Sequence, residues 1–118
     1  MMIKIEAYIR EEKFEDVKAA LDGIDVNGLT VSQVMGCGIQ RGYREVVRGM
    51  EVDMQMQPKI KFEIVVSSEE WAEKTIEAIR RAAYTGEVGD GKIFSYEIRS
   101  ALKIRTGETG YDAIQSAE

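Results

Sequence analysis

Apolar and polar residues alternate strictly at the start of the chain. Ile3, Ile5, Ala7 and Ile9 interleave with Lys4, Glu6, Tyr8 and Arg10. A period of two predicts a strand with one buried face. From Glu11 the period lengthens. Phe14, Val17, Leu21 and Ile24 recur at helical spacing, acidic residues sit in the first turn, and Gly23 lies near the end. These signals predict a helix over 11–23. A second strand is expected over 29–35, LTVSQVM. The pattern then repeats. Ile60, Phe62, Ile64 and Val66 alternate with Lys59, Lys61, Glu63 and Val65 as a third strand. Ser67 or Ser68 can cap a second helix, with Glu69 and Glu70 in its first turn. Trp71 falls near its start, and Ala72, Ile76, Ile79 and Ala83 mark its inner face. Phe94, Tyr96 and Ile98 alternate as a fourth strand.

Two βαβ units in succession predict an α+β, ferredoxin-like fold. Four antiparallel strands would carry both helices on one face, in a single domain over 1–118. The other face of the sheet is then uncovered, and in so small a chain it is expected to be an oligomer surface. About twenty residues, GIQRGYREVVRGMEVDMQMQ, separate strands two and three. A loop of that length in a compact domain points to function. Tyr43, Val46, Val47 and Met50 around Arg48 read as a partner-binding loop. The alternation of Val52, Met54 and Met56 leaves a hairpin extension open.

Composition narrows the function classes. The 118 residues are 44% apolar and 31% charged, an ordinary globular mix. No apolar run approaches the ~20 residues of a bilayer span. The alternating first ten residues are not a signal peptide, so a cytoplasmic protein is expected. A net charge of −5 argues against general nucleic-acid binding. There is no histidine, and Cys37 is the single cysteine. An intramolecular disulfide and a multi-cysteine metal site are thereby excluded. A catalytic thiol would lack an imidazole, so Cys37 reads as a small side chain between two glycines.

Three segments carry candidate chemistry. TGEVGDGK at 85–92 resembles a P-loop, but Ile93 stands where Ser or Thr should hold magnesium. A helix precedes it and a strand follows, the reverse of the P-loop context. Its glycines can still form an anion nest beside Lys92, or simply a tight turn. Gly36 and Gly38, at the end of strand two, suggest a bulge, a close backbone approach to a ligand, or a plain strand exit. LKIRTGETG puts Lys103 and Arg105 on one side of a short expected strand. If the segments converge, Lys92, Lys103 and Arg105 would neutralise a polyphosphate. Otherwise the last pair is a solvated basic edge.

The chain resembles the PII signal-transduction proteins over nearly all its length. TGEVGDGKIF at 85–94 and IRTGE at 104–108 carry the resemblance most strongly. IKIEAYIR, GLTVSQVMGCG at 28–38 and PKIKFEIVV at 58–66 match in order and spacing. The resemblance implies a homotrimer with ATP or ADP bound in clefts between subunits. Gly89, Asp90, Gly91 and Lys92 would surround the phosphates, with Gly36, Cys37 and Gly38 on the same nucleotide. Lys103 and Arg105 would face them, and Gly28, Thr30 and Val65 would line the adenine side. Gln40 and Lys59 would hold 2-oxoglutarate, helped by backbone near Gly38 and Gly89. Gln40 would also complete a Mg2+ shell otherwise filled by ligand oxygens. The stretch 37–57 corresponds to the protruding T-loop, and 100–118 to the C-terminal segment. Arg48 would contact a target, with an ammonium transporter the expected partner and the only route to a membrane.

Some positions depart from the family pattern. Ile39 stands where many bacterial members have a phosphate-contacting arginine, and Lys103 where arginine is common. Val52 replaces the tyrosine that some relatives have uridylylated, and Met50 the serine that others have phosphorylated. The expected function is an allosteric regulator of nitrogen metabolism and not an enzyme. Two alternatives remain at this stage: a PII-like regulator of another transporter or enzyme without 2-oxoglutarate sensing, and a small ferredoxin-fold hydrolase.

Overall fold

The computed structural model describes residues 1–26, 28–39, 45–47, 50–52 and 54–115; at 38, 39, 45–47, 50–52, 54 and 55 only the backbone is described. Its elements run β1 (Ile3–Arg10), a 3-10 turn (Glu11–Lys13), α1 (Phe14–Gly23), β2 (Leu29–Ile39), β3 (Glu45–Val47), β4 (Met50–Val52), β5 (Met54–Val66), α2 (Glu69–Ala83), β6 (Lys92–Glu97) and α3 (Tyr111–Gln115). The main sheet has the order β2-β5-β1-β6, and each neighbouring pair is antiparallel. This is the ferredoxin-like double βαβ arrangement that the alternating and helical periods predict.

The alternation decides which face is covered. Ile3, Ile5, Ala7 and Ile9 of β1 are buried, as are Ile60, Phe62, Ile64 and Val66 of β5. Val17 and Leu21 of α1, with Ala72, Ile79 and Ala83 of α2, close over them. Phe14 stacks on Phe62 with ring centroids 5.7 Å apart. Thr75 is fully buried at a position that apolar periodicity does not mark. Its hydroxyl is satisfied by donating to the Trp71 carbonyl at 2.8 Å, one turn back. The start of α2 is capped as expected: the Ser68 hydroxyl oxygen accepts from the Trp71 N–H at 3.2 Å.

The uncovered face is polar and aromatic. Lys4 pairs with Glu63 at 2.9 Å, and the Tyr96 hydroxyl donates to Glu6 at 2.7 Å. Lys61 lies 5.6 Å over the Tyr8 ring, which meets Phe94 edge to face at 6.1 Å.

Two boundary expectations need correction. β2 does not stop at 35, and its extension carries no bulge. Every residue from Leu29 to Ile39 pairs in unbroken register with Ile64 back to Met54. Gly36 needs no ligand to explain it, because an added Cβ would lie 3.2 Å from Cγ of Lys59. The span expected as a loop therefore begins and ends as a two-stranded ribbon, and β3 pairs with β4 as a second small sheet. Strand pairing continues past the core because each added pair satisfies backbone N–H and C=O groups. Among the described residues, no helix is long and apolar enough to cross a membrane.

Candidate nucleotide and effector site

The segment 85–92 leaves α2 and turns into β6, so the helix-before, strand-after context holds. Gly86, Gly89 and Gly91 have φ of 88°, 105° and 102°, a region that side chains disfavour. Gly91 has no room for one. A Cβ there would lie 1.7 Å from the Tyr8 carbonyl oxygen, so the loop lies directly on the end of β1.

An anion nest forms, but Asp90 fills part of it. Its carboxylate accepts from the backbone N–H groups of Thr85 and Gly86, each at 2.9 Å, and from the Thr85 hydroxyl. On its other side Arg10 Nε donates to the same carboxylate at 3.0 Å. Partial burial pushes the Asp90 carboxyl up, but the bonds from Thr85, Arg10 and Gly86 outweigh it. The group is held well below the usual carboxylate range. Asp90 is thus the internal anion of the loop. The Thr85 and Gly86 N–H groups are therefore already occupied by this carboxylate. The groups left for a phosphate are the peptides of Gly89 and Gly91 and the exposed Lys92.

Lys59 sits across the strand pair from Arg10. Its ammonium donates to the Gly89 carbonyl. Burial lowers its pKa, the Arg10 guanidinium lowers it further, and Asp90 and Glu12 oppose both. The expected effector cation and the expected nucleotide loop are therefore one hydrogen bond apart. Gly36, Cys37 and Gly38 pair with Gln57, Met56 and Gln55 close by on the same ribbon.

The other half of the expected site lies elsewhere. Gly28 and Val65 line a pocket of about 440 Å³ with Trp71, Tyr111 and Ile114. Thr30 pairs with Glu63 beside it. The chain arrives there from β6, where the Ile98 N–H donates to the Met2 carbonyl at 3.0 Å. The expected short strand carrying Lys103 and Arg105 is corrected to a closed turn. Leu102 bridges Thr109, the Gly107 N–H donates to the Lys103 carbonyl at 2.8 Å, and Gly110 N–H donates to Ala101 at 3.0 Å. Gly107 and Gly110, with φ of 77° and 61°, make the turn where alternation alone predicts extension. Lys103 is buried with its ammonium 3.4 Å from Glu108, while Arg105 is exposed on the turn. The Glu108 carboxyl is held low by the Thr106 hydroxyl and then by Lys103.

Lys59 and Val65 are six residues apart on β5, about 20 Å at ~3.3 Å per residue. The loop with Lys92 and the turn with Lys103 and Arg105 thus occupy opposite ends of the sheet. Within one chain Lys92 and the pair Lys103 and Arg105 therefore stand apart, because an antiparallel sheet sends the ends of β6 in opposite directions. Gln40 and Arg48 lie outside the described residues. Sequence reasoning missed Arg10, which ends β1 in phase with Lys4, Glu6 and Tyr8. Its signal appears only once the register sets it against Lys59.

One α+β unit thus carries a glycine loop held by Arg10 and Lys59 at one end of its sheet and a separate pocket at the other. The comparisons define the class. The family model for nitrogen regulatory protein P-II matches residues 2–108. Nitrogen regulatory protein P-II 1 of Methanothermobacter thermautotrophicus is 53% identical over 113 residues, covering 96% of this chain and 97% of the relative. Nitrogen regulatory protein P-II of Bradyrhizobium diazoefficiens is 49% identical, covering 96% and 100%. Among solved structures, a B. subtilis GlnK–ATP complex has a TM-score of 0.79 at 40% identity, covering 95% of this chain and 96% of that one. Arabidopsis thaliana PII bound to citrate has a TM-score of 0.78 at 34% identity, covering 99% and 93%. The chain belongs to the nitrogen regulatory protein P-II family. It is a regulatory signal-transduction protein and not an enzyme.

Proposed function

We propose that the chain senses adenine nucleotide and 2-oxoglutarate as a homotrimer, and passes the result to target proteins through residues 37–57. The observation that carries the reading is the separation of the two half-sites. One end of the sheet presents Gly89, Gly91 and Lys92; the other presents Gly28, Thr30, Val65, Lys103 and Arg105. Neither half alone matches a nucleotide's need for both a phosphate cradle and a base pocket. A second copy, docked with its C-terminal end against the loop end of the first, completes both. The uncovered sheet face, with Phe94 and Tyr96 half exposed, gives that copy a surface to meet. The ATP complex of a 40%-identical relative supports the ligand class.

Lys59 is the proposed cation for the distal carboxylate of 2-oxoglutarate. A magnesium ion would arrive with the nucleotide phosphates, and the Gln40 carbonyl would add a protein oxygen of the kind this hard cation prefers. The ion would supply charge neutralisation between nucleotide and 2-oxo acid. Arg48 is the proposed contact with the target, an ammonium transporter. Nucleotide and effector would shift the T-loop between conformers, by no more than their difference in affinity for the two.

Calorimetry tests the ligand reading. 2-Oxoglutarate should bind only when ATP and magnesium are present, and Gln40→Ala should abolish that binding with less effect on ADP. Full-affinity binding of 2-oxoglutarate to the ligand-free protein contradicts it. Co-purification tests the partner. The transporter should be held in ADP, released by ATP, magnesium and 2-oxoglutarate, and lost with Arg48→Ala.

A further inference from the structure

We infer that Arg10 is a positioning residue for nucleotide: it clamps the 85–92 loop into its phosphate-binding shape from the end of β1. The inference rests on the nucleotide reading above and adds a residue that reading does not use. Arg10 makes two contacts with the loop. Nε donates to Asp90 Oδ1 at 3.0 Å, and Nη2 donates to the Val88 carbonyl at 2.8 Å. These contacts span about eighty positions of sequence and are the ones through which β1 side chains grip this loop among the described residues. A planar guanidinium can make both at once because its donors are fixed in a fork. Asp90 carries the grip onward, since the same carboxylate holds the Thr85 and Gly86 N–H groups. Arg10 therefore ties Val88 directly, and Thr85 and Gly86 through Asp90, into one unit.

The clamp is separate from Lys59, whose ammonium holds the Gly89 carbonyl. When an anionic ligand draws Lys59 away, that carbonyl is released. Arg10 still holds Val88 and Asp90 on either side of Gly89, so the cradle keeps its shape. The Gly89 Cβ position, 3.2 Å from Arg10 Nη2, shows how closely the guanidinium lies under the peptide. Arg10 itself need not touch either ligand for this role.

The test is ATP affinity of the full-length protein without 2-oxoglutarate, by calorimetry, for the parent, Arg10→Ala, Arg10→Lys, Asp90→Asn and the Arg10→Ala/Asp90→Asn double variant. Arg10→Ala should weaken ATP about tenfold, the scale of one charge-assisted hydrogen bond. Arg10→Lys should recover part of that, because one ammonium can serve one of the two acceptors. The double variant should lose less than the sum of the singles, since both act through one contact. Hydrogen exchange should show faster amides at 85–91 in Arg10→Ala and unchanged protection in β1 and β5, which general destabilisation would not produce. Parent-like affinity in Arg10→Ala, or full additivity with Asp90→Asn, overturns the inference while the nucleotide reading stands. A parent protein that binds no adenine nucleotide removes the reading and the inference with it.

Discussion

The two ends of the sheet are built in opposite ways. At the loop end, Arg10, Lys59 and Asp90 reach across long stretches of sequence and lock one segment with charge-assisted bonds. At the other end, backbone groups of Ala101, Lys103, Gly107, Glu108 and Gly110 bond to one another in a local turn. Ile104 is 95% exposed there, on a segment that also presents Arg105. The first end is preorganised by its own chain. The second presents Arg105 and the apolar tip of Ile104 on an exposed turn. That contrast favours the phosphate cradle as the rigid side of a divided site, with the C-terminal turn as the side that closes on it.

The largest expected effect comes from removing the rigid end's closest approach. Gly91→Ala places a Cβ against the Tyr8 carbonyl at a positive φ. Strain and overpacking together should cost about 3 kcal/mol, read by urea unfolding, and nucleotide binding should be lost. A variant as stable as the parent means that the loop does not rest on β1 in solution. Next is the other end. Arg105→Ala should weaken ATP by about 1.5–3 kcal/mol, the range for a hydrogen bond to a charged group. Loss of stability with intact affinity would reverse the contrast between the ends.

The smallest effect is a pH dependence at the rigid end. The Asp90 carboxyl is depressed when folded, so its stabilisation is present above the unfolded carboxylate pKa and is lost as pH falls through the folded value. Asp90→Asn should cost about 1 kcal/mol near pH 7, a figure reduced for partial solvent screening. The gap from the parent should close progressively below the ordinary carboxylate range. A gap that is constant between neutral and acid pH would show that the loss is geometric and not ionic.

The same contrast explains what was legible in the sequence. Strand and helix periods report burial, so β1, β5, the two long helices and the sheet order followed from Ile3–Ile9, Ile60–Val66 and the two βαβ repeats. Glycines at 86, 89 and 91 signalled an unusual loop because glycine adopts positive φ without a side-chain penalty. The Arg10 clamp was hidden, since a strand-end arginine looks solvated until the register sets it beside Lys59 and the loop. The bonds of the Asp90 carboxylate within the loop were not legible either, because a nest with an aspartate inside it reads like a nest awaiting a phosphate. The C-terminal cations looked like a strand because alternation over so few residues does not distinguish extension from a turn set by Gly107 and Gly110. Over 38–39 and 54–57 a loop and a hairpin extension both stayed open, because glycine and glutamine hide a pairing that only the partner strand reveals.

The central claim is that one nucleotide site is shared between two copies of the chain. Lys92→Ala disables the loop end and Arg105→Ala disables the C-terminal end, so each variant alone should bind ATP weakly. Unfolding the two together and refolding them should give mixed assemblies. Where the loop of an Arg105→Ala copy meets the turn of a Lys92→Ala copy, both native side chains are present. Calorimetry should then recover parent-like affinity at about one site in each mixed trimer. If mixing restores no tight site, both halves belong to a single chain and the shared-site account is wrong.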